Sequence, residues 1–325
     1  MDMKRDALHL SGGNYPSRRG ESGVGARFIA PWGGPLWPPA VPLNGGEPKH
    51  DATNMPDDIE VKACCATIYQ SDWARLLLGD SFHPGGQELT EHLGTLLDLR
   101  PGRYVLDVAS GQGASAIRLA QRFGCTVLGI EYGSQAIQHA TERAVAGGVA
   151  HLVSFRQGDA EHLPVPGGTF DALICECAFC TFPNKARAAS EFWRVLKPGG
   201  QVGLSDVTRA GEVPEDLRGL LSWIACIADA QPVEHYMRYL TTAGLAVNLV
   251  ERCDDTLAEL VHDIQGKLLG VEMLARLKKI ELPGTIDFEQ AKALAKSAAA
   301  AIQAGKFGYA VIVATNMGTA KQMGT

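Results

Sequence analysis

The sequence predicts an α/β fold, in which a mostly parallel sheet of seven strands carries helices on both faces. Three observations support this prediction. Between residues 104 and 206, short apolar runs alternate with segments of helical apolar spacing, which is typical of consecutive β–α–β units. The first apolar run leads into a glycine-rich turn. Two further strand-like runs, 246–251 and 307–315, bring the number of expected strands to seven.

The first strand, turn and helix carry the pattern of a nucleotide-type binding site. An apolar strand at 104–108 is followed by a glycine turn at 110–114 and a helix at 116–123. A second apolar strand at 126–130 then ends at the acid Glu131. Gly111 and Gly113 let the backbone approach a ligand more closely than a Cβ atom would allow. Glu131 stands where a carboxylate can accept hydrogen bonds from both hydroxyls of a ribose. We therefore expect a nucleotide-type ligand at this edge of the sheet.

The glycine pattern alone leaves two other interpretations open. Gly111-x-Gly113-x-x-Ala116 also fits the dinucleotide fingerprint of NAD-dependent oxidoreductases, which permits alanine at the third position. A tight turn between strand and helix that binds nothing is the second alternative. The NAD alternative is disfavoured because it leaves Asp159–Ala160 and the turn Pro198–Gly200 without a role.

The segments downstream continue the alternation of strands and helices. Strands are predicted at 151–155, 170–175, 201–206, 246–251 and 307–315. Helices are predicted at 89–97, 215–243, 254–279 and 287–304, and another helix ends at the Pro-Gly-Gly turn before the fifth strand. Polar residues follow the strands, as Glu176 follows the fourth. Because ligands bind beyond the carboxyl ends of parallel strands, these residues are candidates for a site.

This ordered set of segments resembles the class I methyltransferases that depend on S-adenosylmethionine (SAM), over residues 101–206. Five segments match in order. They are Asp107 with the glycine loop that follows it, and residues 157–161, 170–175, 191–200 and 201–206. The resemblance implies a Rossmann-like sheet with helices on both faces, an N-terminal helical lid and a helical insertion before the last strand. It also implies that the last strand is inserted antiparallel into the sheet, and that SAM is the cofactor.

The resemblance also implies a role for each matched residue. Asp107 and the loop Gly111–Gly113 would hold the methionine end of SAM, and Glu131 would bind the ribose hydroxyls. Asp159–Ala160 would bind the adenine edge, and Glu176 would line the side of methyl transfer. An acid near the loop suits an ammonium group, because SAM has no pyrophosphate for the helix N-terminus to bind. The implied cofactor-binding set is Asp107, Ser110, Gly111, Gly113, Glu131, Tyr132, Asp159, Ala160 and Glu176.

Eight cysteines are present, and some of them lie where an acceptor would bind. Cys177 follows the fourth strand, ahead of Pro183-Asn184-Lys185, and Cys226 lies in an Ala-Cys-Ile-Ala segment. Both positions resemble those of arsenite methyltransferases, which have further cysteines near the N-terminus. The resemblance implies thiol-bound arsenite or a similar metalloid as the acceptor, because soft ions select thiolates. Cys177, Cys226 and Cys65 are the implied catalytic metalloid ligands, with glutathione or thioredoxin as reductant.

The third metalloid ligand stays open between Cys64 and Cys65. These residues are adjacent, and the side chains of adjacent residues rarely converge on one atom without strain. Cys180 is an extra cysteine beside the fourth strand. No general base is required for this acceptor, since the arsenic lone pair carries no proton, and transfer depends on positioning.

Two alternatives keep the cofactor site and change the acceptor side. In the first, the acceptor is an ordinary small organic molecule that is methylated on O, N, S or C, and His83 or Asp206 is a candidate general base. The cysteines would then fill the core, as we expect for Cys125 and Cys253 in any case. In the second, the chain is a thiol-rich protein that binds SAM and a metalloid without turnover.

Composition limits the classes of partner. The chain has 325 residues and a net charge of −6 without a run of Lys and Arg, so no nucleic-acid partner is expected. No apolar stretch is long enough to span a membrane, and the N-terminus has no apolar signal segment. We expect a cytoplasmic enzyme with reduced cysteines. The expected organisation is a disordered Gly/Pro-rich arm at 1–55, a helical lid at 56–100 and a methyltransferase domain at 101–320.

Overall fold

The computed structural model describes residue 79, residues 83–214, residue 217, residues 229–277 and residues 287–318. The strands within them are β1 Tyr104–Val108, β2 Thr126–Glu131, β3 Val153–Gln157, β4 Phe170–Glu176, β5 Leu196–Arg209, β6 Leu245–Arg252 and β7 Phe307–Asn316. The helices are α1 Gly86–Leu96, α2 Ala114–Phe123, α3 Ser134–Ala146, α4 Lys185–Val195, α5 Val233–Thr242, α6 Asp254–Arg276 and α7 Phe288–Gln303. None of these helices is long and apolar enough to cross a membrane.

The seven strands form one sheet in the order β3-β2-β1-β4-β5-β7-β6. Strands β1 to β5 are parallel, and β7 is antiparallel to both of its neighbours. The predicted α/β fold with an inserted last strand is therefore confirmed, and α6 and α7 form the insertion before it. The strand order reverses between β1 and β4. Because ligands bind beyond the carboxyl ends of the strands at such a point, the candidate site lies beyond Val108 and Glu176.

The central strands are buried on both faces. Every residue of β1 except Tyr104 is buried, and every residue of β7 except Thr315. This is the burial expected of strands that are covered by helices on both sides. Helix α1 contacts β5 closely, because a Cβ on Gly203 would lie 2.6 Å from Cδ1 of Leu93. This contact places α1 against the sheet, close to the carboxyl end of β4.

Helix α4 is shorter than predicted. It ends at Val195, and β5 begins at once with Leu196, whereas the sequence predicted a helix up to the turn Pro198–Gly200. Leu196 pairs with Phe170 of β4, and the register shifts before the next pair. The Pro-Gly-Gly turn is thus an irregularity inside β5, with Gly199 at a φ of 79°.

Two other predicted boundaries were wrong. The third strand begins at Val153 and not at His151, because the amide of Leu152 donates to Val149 in a turn. The predicted helix 215–243 is interrupted, since Gln231 forms a bridge with Thr208 before α5 begins. The predicted arm 1–55, residues 56–78 of the predicted lid, and residues 218–228 lie outside the described residues.

Candidate active site

The turn between β1 and α2 forms a cradle that is lined by main chain. Ala109, Gly111 and Gly113 have φ values of 59°, 51° and 78°, in the left-handed region. A Cβ on Gly113 would lie 2.5 Å from Cζ of Phe155, so only glycine fits there. A Cβ on Gly111 would meet no atom within 4 Å. The turn therefore leaves room for a ligand beside the backbone of Gly111.

Glu131 fastens the end of β2 to this cradle. Its Oε2 accepts a hydrogen bond of 2.9 Å from the amide of Gly111, and its Oε1 accepts one of 2.8 Å from the amide of Gly133. Each carboxylate oxygen has a second lone pair, so both remain able to accept from hydroxyls. The carboxylate is thus fixed in place and keeps acceptor sites for further donors; its binding of ribose hydroxyls stays a prediction.

Three buried polar atoms around the cradle have no hydrogen-bond partner among the described residues. They are Oδ2 of Asp107, Oγ of Ser110 and Oε1 of Gln112. Unpaired buried polar atoms are costly, and native proteins pair nearly all of them. The amide oxygen of Gln112 and the ionised form of Asp107 can only accept, so they suit a ligand that brings N–H donors, such as a methionine ammonium. A pyrophosphate would instead bring oxygen atoms towards a carboxylate.

Burial and like charge act together on the acids of the site. Burial raises the pKa of Asp107 well above its usual range, and the nearby carboxylates of Glu176 and Glu131 raise it further, against the opposing effect of the Ala116 amide. Burial also raises the pKa of Glu131, although the amides of Gly133 and Gly111 oppose this shift. A cationic ligand would favour the ionised form of both groups.

Glu176, at the end of β4, is held by α1. Oγ1 of Thr90 lies 3.2 and 3.1 Å from the two carboxylate oxygens of Glu176. Nε2 of His83 lies 3.3 Å from the same hydroxyl and 3.7 Å from Oε2 of Glu176. Oγ of Ser115 lies 3.5 Å from this Nε2. His83 and Thr90 are buried. Sequence reasoning identified Glu176 and His83 but missed Thr90 and Gln112; Gln112 lies in the glycine loop, whereas no local pattern marks Thr90.

The predicted adenine-binding residues lie at the neighbouring strand end. The amide of Gly158 donates to the carbonyl of Glu131 at 3.0 Å, which joins the loop after β3 to the end of β2. Asp159 and Ala160 are half-buried in this loop, and Oδ1 of Asp159 accepts from the amide of Glu161 at 2.9 Å. Tyr132 is also half-buried and follows Glu131 directly. The predicted cofactor residues thus lie along the ends of β1, β2, β3 and β4.

Cys177 lies directly after β4 in a strained conformation. Its φ is 50°, in the left-handed region that non-glycine residues seldom adopt. Its amide donates to the carbonyl of Ser205 at 2.7 Å, and its side chain is half-buried. Cys65 and Cys226, the other two predicted ligands, lie outside the described residues. Within the ranges that are described, no group of three His, Cys, Asp or Glu residues could hold a metal ion.

The neighbouring cysteines are buried. Burial raises the pKa of the Cys175 thiol well above its ordinary value, and the carboxylates of Asp206, Asp107 and Glu176 raise it further. Cys180 is also buried, and burial raises the pKa of Cys125 to about 11. Because ligands to soft ions are thiolates, Cys175 and Cys125 are suited to packing and not to binding.

Asp206 caps the turn that follows β4. Its Oδ2 accepts from the amide of Cys180 at 2.8 Å, and its Oδ1 accepts from the amide of Val207 at 2.7 Å. The residue is buried. Of the two roles considered for Asp206, general base and structural cap, this geometry supports the cap.

Comparison with known proteins agrees with this geometry. Residues 106–204 match a family described as a methyltransferase domain. Methyltransferase GfsG of Streptomyces halstedii is 30% identical over 178 residues, which cover 54% of this chain and 63% of the relative. The arsenite methyltransferase of Halobacterium salinarum is 34% identical over 162 residues, covering 49% and 41%. The chain therefore spans less than two thirds of the length of these relatives.

A solved structure extends the likeness to most of the chain. It is phosphoethanolamine N-methyltransferase 2 from Haemonchus contortus, in complex with phosphomonomethylethanolamine and S-adenosylhomocysteine. The TM-score is 0.64 at 18% identity, covering 78% of this chain and 57% of that one. At this identity the likeness shows the fold.

The fold and the cradle define a Rossmann-like protein with an acid-lined turn at the carboxyl ends of its parallel strands. Residues 106–204 carry the match to a methyltransferase domain, and the relatives and the solved structure reported above are methyltransferases by name. The similar proteins are named for different acceptors, arsenite and phosphoethanolamine among them. The family therefore leaves the acceptor open.

Proposed function

We propose that this chain transfers the methyl group of SAM to a small acceptor beyond the end of β4, and that thiol-bound arsenite is this acceptor. The proposal of methyl transfer is supported mainly by the unpaired buried oxygens of Asp107, Ser110 and Gln112, because these atoms suit the methionine end of SAM. The half-buried, strained Cys177 beside the same strand end supports a metalloid acceptor.

The residues of the chain bind and orient the two reactants. SAM, when bound, supplies a methyl group that is activated by its sulfonium. The cradle at Gly111 admits the cofactor to the backbone, Asp107 accepts from its ammonium, and Glu131 is already fixed to accept from the ribose. Thr90 fixes Glu176 on the side that faces the acceptor. Orientation of this kind can supply a large part of the rate enhancement that a displacement needs.

Arsenite as the acceptor is supported by the chemistry of Cys177. Strained backbone is concentrated at functional sites. The hydrogen bond from the amide of Cys177 to the carbonyl of Ser205 holds Cys177 in its unusual conformation. Its thiolate would bind trivalent arsenic together with further thiols, from Cys65, Cys226 or glutathione. Glutathione or thioredoxin would also serve as the reductant. The relative that methylates arsenite by name adds independent support.

The test is a methylation assay on the purified chain with SAM, glutathione and arsenite. Methylated arsenic is measured by chromatography with mass spectrometry, and S-adenosylhomocysteine is measured in the same samples. We expect Cys177→Ser to lower kcat/KM at least tenfold. Cys253→Ser is the matched control, because Cys253 is also half-buried but lies before α6. Full activity of Cys177→Ser, or no methylated arsenic from the unaltered chain, would exclude this acceptor.

A buried polar cluster favours a second candidate, an organic acceptor that carries a proton. Nδ1 of His83 lies 3.1 Å from the carbonyl of Pro84, which can only accept, so Nδ1 carries the proton in the neutral ring. Nε2 is then free to take a proton, and the nearby carboxylate of Glu176 would stabilise the resulting cation.

The pH dependence of the reaction distinguishes this candidate. With small alcohols, amines and thiols as acceptors, we expect kcat/KM to fall at acid pH, because a general base must be unprotonated to take the acceptor's proton. The fall should disappear in His83→Gln. If kcat/KM of the unaltered chain did not change with pH, no general base would take part in the reaction.

A further inference from the structure

Lys185 is a buried cation at the start of α4. It is 5% exposed, and no other Lys or Arg is buried in the part of the chain that the structure describes. A buried ammonium is costly, and a helix N-terminus disfavours a positive charge further, because its free amides carry partial positive charge. Helix α4 does not need this lysine, since Asn184 already caps it by accepting from the amide of Arg187 at 2.9 Å.

The ammonium of Lys185 joins two segments at the carboxyl edge of the sheet. Its Nζ donates to the carbonyl of Phe182 at 3.0 Å and to Oδ2 of Asp229 at 2.5 Å. Phe182 lies at the end of the turn that follows β4, whereas Asp229 lies in the connection from β5 to α5. One side chain thus bridges the segments that follow two neighbouring parallel strands.

The carboxylate at the far side of this bridge is itself tied to β5. Oδ1 of Asp229 accepts from Nε2 of Gln231 at 3.0 Å, and Gln231 forms the bridge with Thr208 of β5. The amide of Gln231 donates to the hydroxyl of Tyr236 at 3.0 Å, and this hydroxyl donates to the carbonyl of Val207 at 3.0 Å. The hydrogen bonds of the carboxylate therefore lead back to the end of β5.

We propose that Lys185 is a positioning residue for methyl transfer, which holds the end of the turn after β4 and so fixes where Cys177 presents the acceptor. The inference rests on the proposed function, because it takes Cys177 as a ligand of the acceptor. Strand β5 already holds the start of this turn, through the bond of 2.7 Å from the Cys177 amide to Ser205. It also holds the middle, through the bond of 2.8 Å from the Cys180 amide to Asp206. Lys185 completes the set at the end of the turn.

A displaced turn affects the rate of transfer more than the binding of either reactant. Methyl transfer needs the attacking atom in line with the methyl group, and a misplacement of about 1 Å can cost roughly a hundredfold in rate. The bond between a thiolate and the acceptor does not depend on that alignment. Loss of the bridge should therefore lower kcat and leave the KM for the acceptor almost unchanged.

The test is the steady-state kinetics of Lys185→Met in the full chain, with SAM, glutathione and arsenite. We expect kcat to fall at least tenfold, on the order of what misplacement costs, whereas the KM for arsenite and the Kd for SAM change by less than about threefold. The Tm should not fall, because methionine suits a buried site and the side chain of Asp229, which is 37% exposed, can be hydrated. A loss of kcat at unchanged Tm separates positioning from a loss of structure.

Lys197→Met is the matched control. Nζ of Lys197 donates to Oδ1 of Asp171 at 2.8 Å, near the amino ends of β5 and β4, so this variant loses the same charge and an ion pair at the opposite edge of the sheet. It should keep the kcat of the unaltered chain. Asp229→Asn keeps an oxygen that can accept from Lys185, so it should retain more of kcat than Asp229→Ala. Unchanged kcat in Lys185→Met would overturn the inference and leave the proposed function standing.

Hydrogen exchange tests the bridge without any acceptor. We expect the backbone amides of residues 177–183 to exchange faster in Lys185→Met than in Lys197→Met, because only the first variant frees the end of the turn. Equal exchange in the two variants would overturn the inference alone. If the unaltered chain formed no methylated arsenic, the proposed acceptor would fail, and the role of Lys185 in this transfer would fail with it.

Discussion

Asp107, Gln112 and Gly113 show what single residues contribute to the β1–α2 turn. Asp107 and Gln112 keep buried oxygens without partners, which destabilises the folded chain in the absence of a ligand. Gly113 adopts a left-handed φ and lies against Phe155, so no other residue fits its place. Binding sites commonly combine these features, because the groups that meet the ligand are selected for binding.

Gly113→Ala is expected to destabilise the chain more than Gly148→Ala. Both glycines have left-handed φ values, 78° and 73°, so an alanine costs about 1 kcal/mol of backbone strain at either position. At Gly113 the new Cβ would also lie 2.5 Å from Phe155, whereas at Gly148 it meets nothing within 4 Å. The steric part adds about 1–3 kcal/mol. Urea unfolding of both variants measures the difference, and equal losses would show that the Phe155 contact relaxes freely.

Gln112→Met is expected to have opposite effects on stability and on binding. Methionine has a similar length and removes the unpaired Oε1, so the ligand-free chain should gain about 1 kcal/mol in its free energy of unfolding. The same change removes an acceptor from the cradle and should weaken SAM binding several-fold. Thermal unfolding and calorimetry measure the two effects. A variant that loses stability without SAM would show that Gln112 has a structural partner.

Among the secondary-structure elements, Asp206 joins β5 to the turn after β4. Asp206→Ala leaves the buried amides of Cys180 and Val207 without their acceptors, at a cost of about 1–3 kcal/mol in the free energy of unfolding. Asp263→Ala, on the exposed face of α6, is the control and should change stability by less than about 0.5 kcal/mol. If Asp206→Ala abolished methyl transfer with unchanged stability, the residue would be a base and not a cap.

The elements that the sequence predicted well are those with a strong local pattern. The alternation of strands and helices from Tyr104 to Asp206 is carried by apolar periodicity and by glycines with left-handed φ, and both are local properties. The interruption before α5 is not local, since it depends on the bridge between Gln231 and Thr208. The same holds for Thr90, whose hydroxyl reaches Glu176 only because α1 docks on the sheet.

The acceptor side was less predictable than the cofactor side for the same reason. The predicted cofactor residues follow the parallel strands, so the parallel topology alone places Asp107, Glu131 and Glu176 at one edge. The three predicted metalloid ligands are distant in the sequence, and nothing in their spacing fixes how their side chains meet. The strain at Cys177 could not be read from the sequence, because cysteine is no marker of a left-handed φ.

At the scale of the whole molecule, the stability of the ligand-free chain should fall as the pH rises above the unfolded pKa values of Asp107 and Glu131, near 4. The folded pKa values of Asp107 and Glu131 are raised above their unfolded values, so the folded chain binds more protons than the unfolded chain in this range. Stability therefore decreases with pH from the unfolded pKa, near 4, up to the raised folded values. Asp107→Asn should reduce this fall and raise the Tm at pH 8, by about 2–4 °C for each kcal/mol.

Acids with lowered pKa values act in a different range. Their contribution to stability is present above the unfolded pKa and is lost only as the pH falls below about 4.5. They are Glu91, Asp98, Asp171, Glu191 and Glu272. Thermal unfolding at several pH values separates the two sets. An equal change of Tm with pH in the unaltered chain and in Asp107→Asn would contradict the role given to Asp107.

The position of β7 in the sheet has a consequence for how the chain folds during its synthesis. Strand β6 pairs only with β7 among the described strands, and β7 follows it after the whole α6–α7 insertion. On the ribosome, β1 to β5 can assemble as they emerge, but β6 must wait for a partner that is translated much later. In a nascent chain stalled before residue 307, the sheet of β1 to β5 should therefore resist protease, whereas the segment after β5 should be cleaved.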